Sequence, residues 1–482
     1  MLGVSLIGAP FAHLAQADPA GIPPTLGHSD SNNMHGDAYG SNVHSVRGPE
    51  HADSEVRSFR YGLVAGECAG FVFDSQGHIV TVCVKAFRSD VLVLDPRTLD
   101  VLARYRIPHR KGALLAAMTF RTERLFGDTS GGSYFYIDDH DRAVITTANR
   151  HVLMLAIRHG RRGRLRLVRD ADFDLNAYVP GDCKRVPGRP RARCDKLTTA
   201  LPDAQGLIWF ITREGRVGTL DTGTGRVAVV RLVGEQIQNS FTVAADGVYL
   251  VSDHALYRWV ADSMTGVPRV VYRVPYDRGE RHKPGQVSQG SGTTPTLLDS
   301  PEGARYVIIA DNAEPRLHVL VYRRDDGTQV CKTPVFTEGR SATENSLIAH
   351  GRSLVVENNY GYFNPFARKR NEPEGGFARI DIRPDESGCD VVWESRQVSP
   401  SVVAKLSVPS QLIYSYTELK KDWALTAIDF RTGETRFSIP MGTGKRADNS
   451  WASIVVGPLP GQACAGRLTG LTCVLDPRAG QE

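Results

Sequence analysis

Asparagine-serine pairs stand at Asn239-Ser240, Asn345-Ser346 and Asn449-Ser450, and Thr293-Thr294 holds the corresponding place between the first two. Roughly fifty residues, or twice that, separate them, which is the spacing of a structural repeat. Amide oxygens are hard neutral donors, and carboxylates at Glu67, Glu344 and Asp448 would add charge, a donor set that calcium prefers. Glu67, Asn239, Asn345 and Asn449 are therefore the expected metal ligands. With Thr293 and Asn358 they are also the expected binding residues of a channel mouth. The competing reading is that Asn and Ser bond backbone groups at turns.

Other residue sets point to weaker chemistry. Glu357-Asn358-Asn359-Tyr360-Gly361-Tyr362-Phe363 places amides and aromatics after a strand, as a pocket lining would, and Asp311-Asn312 holds the matching place one unit earlier. His35 and Asp37, in Met34-His35-Gly36-Asp37-Ala38-Tyr39, would form an acid/base pair or ligand set if that segment folds over a channel; simple docking is the alternative. Asp138-Asp139-His140-Asp141 reads as a polar hairpin turn. Asp170-Ala171-Asp172-Phe173-Asp174 reads as a solvated acidic loop, because Leu175 and Gly181 stand where a calcium loop needs Gly and Glu. The basic runs Arg158–Arg164 and Lys184–Arg193 lack interleaved aromatics, so nucleic acid is not an expected partner. No nucleophile elbow, phosphate loop or dinucleotide fingerprint is present, so no catalytic residue is assigned.

Short apolar runs rich in Val, Ile, Tyr and Phe must position these residues. Phe71-Val72-Phe73, a turn at Asp74–Gly77, His78–Val82 and Val91–Leu94 make the first unit. Further units begin near Tyr134, Leu197, Asn239, Gly292, Asn345, Val402 and Asn449. Four-stranded units of this length cannot bury both faces alone and stack radially. The expected fold is all-β: a single β-propeller of about eight four-stranded blades, or seven if the second and third units merge. The last unit is short, and a strand from the N-terminal side, around Val56 to Leu63, is expected to close the ring. Residues 1–17 read as a signal peptide, 18–55 as an extended leader, 56–477 as the propeller and 478–482 as a tail.

Ala427-Ile428-Asp429-Phe430-Arg431-Thr432-Gly433-Glu434-Thr435-Arg436-Phe437 resembles the docking repeat of the quinoprotein alcohol dehydrogenase-like propellers, A-x-D-x-x-T-G-x-x-x-W, with Phe437 at the tryptophan position. Leu220–Gly225 and Leu94–Leu99 are weaker echoes. The resemblance implies that Asp and Thr-Gly form the turn between third and fourth strands and that the aromatic packs between blades. It does not carry the quinone over. The adjacent Cys-Cys pair of that family is missing, and the five Trp (209, 259, 393, 423 and 451) lie in or beside strands. Pyrroloquinoline quinone is thus not an expected cofactor. The Asn ring is similar in kind to the Glu, Asn and Asp set of calcium-dependent lactonases and gluconolactonase-like propellers, which implies calcium.

Eight cysteines, an even number, suit an oxidising compartment. Proximity pairs Cys68 with Cys83, Cys183 with Cys194, Cys464 with Cys473, and by remainder Cys331 with Cys389. A net charge of +5 over 482 residues is too balanced to imply a polyanionic partner, and no segment past the N-terminus is long and apolar enough to span a membrane. The residues together predict a secreted or periplasmic monomer that binds a small molecule, metal or protein at its channel mouth. The alternative is an enzyme on the same scaffold, a calcium-dependent lactonase or hydrolase first and a quinone-dependent dehydrogenase second.

Overall fold

The computed structural model describes residues 26–27, 29–63, 66–85, 88–109, 131–160, 163–180, 195–287, 289–362, 373–479 and 481. The expected signal peptide, the basic run 184–193, Phe363 and the Cys183–Cys194 pair lie outside them.

Eight sheets form the ring, each with four blade strands. The innermost strands are Glu67–Phe73, Phe135–Ile137, Leu197–Pro202, Thr242–Ala244, Thr296–Asp299, Ile348–His350, Lys405–Ser407 and Ile454–Val456, in blades 1 to 8. Within a blade the strands follow in chain order and pair antiparallel, so the second and third units are separate blades. The eighth blade has three strands of its own, and Glu55–Arg60 adds the fourth by pairing antiparallel with Gly470–Leu475. Blades 1 and 8 are thereby joined, with Phe59 and Tyr61 packed on a core shared by both. Burial follows strand position. The second strand of blade 3, Ile208–Thr212, is buried at every residue, whereas the outermost strand of blade 4, Pro268–Pro275, is mostly exposed.

One turn chemistry recurs between the third and fourth strands of several blades. Between the third and fourth strands of blade 7, Asp429 Oδ1 accepts from Arg431 N and Thr432 N, and Gly433 N donates to Asp429 O. Gly433 takes φ 75°, and a Cβ there would lie 2.6 Å from the Trp393 ring of blade 6, so the tryptophan docks where only glycine leaves room. Asp221–Gly225 and Asp262–Gly266 repeat the turn in blades 3 and 4. In blade 1, Leu99 occupies the glycine position at φ 63°.

Among the described residues three disulfides are formed. Cys68–Cys83 joins directly paired residues of the first two strands of blade 1, and Cys464–Cys473 does the same for the second and third strands of blade 8. Cys331–Cys389 ties the outermost strand of blade 5 to that of blade 6. Asp170 to Asp174 belong to a strand, Leu165–Asp174, and not to a loop: Asp172 pairs with His151 and Asp170 with Arg142 across the blade. Among the described residues no helix is long and apolar enough to cross a membrane.

Candidate functional site

An innermost strand has a neighbour on one side only, so each blade presents an unpaired backbone edge to the central channel. The leader satisfies that edge. Leader carbonyls of Ser31, Asn32, Ala38, Tyr39, Ser41 and Asn42 accept from Phe73, Ile137, Val243, Leu297, Ala349 and Leu406, in blades 1, 2, 4, 5, 6 and 7. Val43–His44 further pairs parallel with Leu406–Ser407, and Arg47 O accepts from Gly461 in blade 8. These contacts run along the inner strands from their beginnings to their ends, so the leader lies along the inner edges of the blades. The upper mouth is the end at which the inner strands begin.

Side chains lock the leader from within. His35 is 5 % exposed, with Nδ1 2.8 Å from Ser346 Oγ and Nε2 3.1 Å from Thr294 Oγ1. Burial, helped by the nearby Lys405, pulls the imidazole down to about 3, so it is neutral at physiological pH. Lys405, 1 % exposed, donates to Met34 O at 2.8 Å and Asn42 Oδ1 at 2.6 Å. Desolvation lowers its ammonium to about 7 against the opposing pull of Asp37. Asp37 accepts from Ser41 N and Oγ and so braces its own turn. His35 and Asp37 therefore do not pair as acid and base; each has separate partners.

Above the leader stands Tyr134, half-buried, its ring centre 5.8 Å from that of His35 and its hydroxyl 3.4 Å from Asn239 Oδ1. Burial raises its phenol, and the Glu344 carboxylate adds to the rise. Across the mouth, Tyr362 donates to Asp448 Oδ1 at 2.8 Å and meets Trp451 edge-on at 5.3 Å. Burial, then Asp448, then Glu67 at smaller weight push the Tyr362 phenol up. Ser450 and Trp451 both take positive φ, 53° and 67°, a strained pair at the rim, and Trp451 Nε1 is buried without a partner. Tyr362 was among the aromatics expected to line a pocket after Glu357, whereas Tyr134 and Trp451 were missed as site residues because each looks like an ordinary core aromatic; Trp451 beside Asn449-Ser450 was the available signal.

The expected ligand residues occupy this end with their amide nitrogens engaged. Asn239 Nδ2 donates to Gly292 O in the next blade. Asn345 Nδ2 donates to Val402 O at 2.6 Å and Glu357 Oε2 at 2.9 Å. Asn449 Nδ2 donates to Gly466 O at 2.9 Å, and its Oδ1 accepts from Ser401 Oγ at 3.3 Å. Thr293 is 1 % exposed beside Ser291 Oγ. Asn358 is fully buried, with its oxygen accepting from Ala342 N and Tyr360 N and its nitrogen donating to Arg340 O and Gly375 O. It orders a loop and does not face the mouth. Among the described residues, one set of three His, Cys, Asp or Glu ligand atoms lies within 4.8 Å, Asp138-Asp139-His140, and it sits on a hairpin turn at the lower face. Glu67, Glu344 and Asp448 form no such set, so a calcium ion would depend on the amide oxygens.

Behind Asn345 lies Glu357, 5 % exposed, whose carboxyl burial raises to about 8. Its Oε1 has no hydrogen-bond partner. A neutral carboxyl at pH 7 holds Asn345 without placing a charge in the wall.

Comparison places this fold among known proteins. A quinohemoprotein alcohol dehydrogenase of Pseudomonas putida superposes with a TM-score of 0.54 over 92% of this chain and 80% of its own, at 11% identity. The chain is thus an eight-bladed propeller of the quinoprotein-like type at the level of fold. A proposed 6-phosphogluconolactonase of Bacteroides fragilis gives a TM-score of 0.39 at 10% identity, covering 82% of this chain and 98% of that one. In sequence, a protein of Archaeoglobus fulgidus described as uncharacterized is 26% identical over 292 residues, 52% of this chain and 56% of that one. The chain therefore spans little more than half of that relative. No protein-family model matches the chain. The sequence holds no adjacent cysteine pair of the kind the resemblance would place over a quinone.

Proposed function

We propose that the protein is a secreted binding propeller that takes a small polar molecule into the upper half of its channel. The observation that carries this reading is the leader, whose carbonyls accept from six inner strands and whose buried His35 meets Thr294 and Ser346 below the partly exposed Tyr134. The partly exposed rings of Tyr134 and Trp451 offer apolar surface, and the partly exposed carboxylates of Glu67 and Glu344 lie at the same end. That mixture suits a polyhydroxylated ligand, with apolar face on aromatic and hydroxyls on carboxylates. The three disulfides support export to an oxidising compartment. The test is calorimetric titration of the full chain with a panel of sugars, polyols and lactones. Tyr134→Ala and Trp451→Ala should each weaken the binding found by ~10-fold or more. Lack of saturable binding across the panel, or binding indifferent to both changes, overturns the proposal.

Calcium-assisted lactone hydrolysis at the same mouth is the second reading, favoured by the Asn239 and Asn449 oxygens beside a carboxylate-bearing rim. Metal analysis decides it. One calcium per chain, lost when Asn239, Asn345 and Asn449 are changed to Ala, supports the reading; no calcium, or calcium unaltered by the changes, rejects it.

A further inference from the structure

The upper face carries a second concavity off the axis. A cleft of about 430 Å³ over blades 3 to 5 is lined by Arg213, Gln236, Asp253, His254, Arg278 and His282, among others. Antiparallel alternation explains their gathering. Arg213 stands on the turn between the second and third strands of blade 3, Ile208–Thr212 and Arg216–Leu220, and His254 on the same turn of blade 4, Gly247–Val251 and Ala255–Ala261. Arg278 and His282 come from the connection that leads from Pro268–Pro275 to the inner strand of blade 5. Both kinds of segment return to the face where inner strands begin.

Two guanidiniums and two imidazoles there face one carboxylate, and that carboxylate is committed. Asp253 Oδ1 accepts from Gln236 N at 2.7 Å and lies 2.8 Å from His254 Nδ1, while Oδ2 accepts from Arg278 Nη2 at 3.0 Å. Arg278 Nε also donates to Asp253 O at 2.8 Å. Asp253 thus holds Arg278 and His254 in place at the edge of the cleft. Because a carboxylate only accepts, the proton of His254 in this contact sits on Nδ1. The volume lies in the range of small-molecule sites and exceeds what a lone ion needs. Fixed guanidiniums match the paired oxygens of carboxylate and phosphate better than lysines would. At the rim, Val287 N donates to Glu344 Oε1 at 3.1 Å and couples the cleft to the channel mouth.

We propose that this cleft is a binding site for a small organic polyanion, a phosphate ester or polycarboxylate, gripped by Arg213, Arg278, His254 and His282. The site is separate from the channel and stands whether or not the channel binds a polyol. Calorimetric titration of the full chain with inorganic pyrophosphate and with citrate tests it. Saturable binding of one ligand per chain is expected, weakening as salt rises and falling ~10-fold or more in Arg278→Gln. Arg278 also braces its own loop, so His282→Ala is the second variant: His282 is exposed, and its loss should lower affinity several-fold with an unchanged thermal midpoint. Binding of pyrophosphate alone assigns a phosphorylated ligand, and of citrate alone a polycarboxylate. Absence of binding by either at ~10 mM, or binding unchanged in both variants, overturns the proposal.

Discussion

Three buried ionisable groups make stability a function of pH in opposite senses. His35 falls from an ordinary 6.5 to about 3 and Lys405 from 10.5 to about 7. In each window the unfolded chain binds the extra proton, so stability rises with pH from about 3 to 6.5 through His35, and from about 7 to 10.5 through Lys405. Glu357 climbs from 4.5 to about 8, so the folded chain holds the extra proton there and stability falls with pH across that window. Each group contributes a slope of ~1.4 kcal/mol per pH unit inside its window. Urea unfolding at pH 5, 7 and 9 checks this. Lys405→Met should abolish the alkaline rise and, by leaving Met34 O and Asn42 Oδ1 unpaired, cost ~1–3 kcal/mol at neutral pH. Glu357→Gln keeps an acceptor for Asn345 and should remove the fall between pH 5 and 8. A wild-type slope retained by either variant would place its titration elsewhere.

Lys405 was not legible in the sequence, and Glu357 was legible only as the first residue of a candidate pocket lining, not as a buried acid. A lysine in Val402-Val403-Ala404-Lys405-Leu406 looks like any strand residue, and its role depends on a leader more than three hundred and fifty residues away. That the leader folds over or docks at the channel was among the sequence readings, but its individual contacts were hidden for a further reason. Its contacts run through backbone carbonyls, which every residue carries, so no side-chain pattern announces them. Asn239, Asn345 and Asn449 were found because their spacing repeats, yet spacing cannot say which end of an amide faces the lumen. In the structure their nitrogens face neighbouring backbone.

Elements of adjacent blades are held by few but specific links, and the outer rim of blades 5 and 6 has the strongest. Cys331 and Cys389 stand 58 residues apart in sequence, and the loop they close lowers unfolded-chain entropy by an amount equivalent to about 4 kcal/mol. The paired substitution Cys331→Ser, Cys389→Ser should lose a comparable stability, measured by urea unfolding under non-reducing conditions. Cys68–Cys83 and Cys464–Cys473 close separations of 15 and 9 residues inside single blades, so their removal should cost less. A loss at Cys331 and Cys389 no larger than at the other two pairs would show that the inter-blade link does not carry this load. The docking turn was visible in sequence where Asp, Thr and Gly coincide, at Asp429–Gly433. Its aromatic partner was not, because Trp393 reaches it from the preceding blade.

At the scale of the whole ring, the period pointed to about eight blades, or seven if the second and third units merged, and the structure has eight. The number closes only because the chain returns on itself. Glu55–Arg60 contributes the outermost strand of a blade whose other strands lie at the far end of the sequence, pairing residue by residue with Gly470–Leu475. Tyr61 then donates to Asp90 in blade 1 at 2.7 Å, so one short segment binds both sides of the seam. Without it, Gly470–Leu475 would present a bare edge, and an unpaired edge invites pairing with another chain. Replacing 55–60 by a Gly/Ser linker of equal length leaves the leader attached and removes only the closing strand. The expected outcome is a lower thermal midpoint together with concentration-dependent association in light scattering, both absent from the unaltered chain. A variant that stays monomeric with an unchanged midpoint would mean that the leader, hydrogen-bonded to six inner strands, is by itself enough to hold the ring shut.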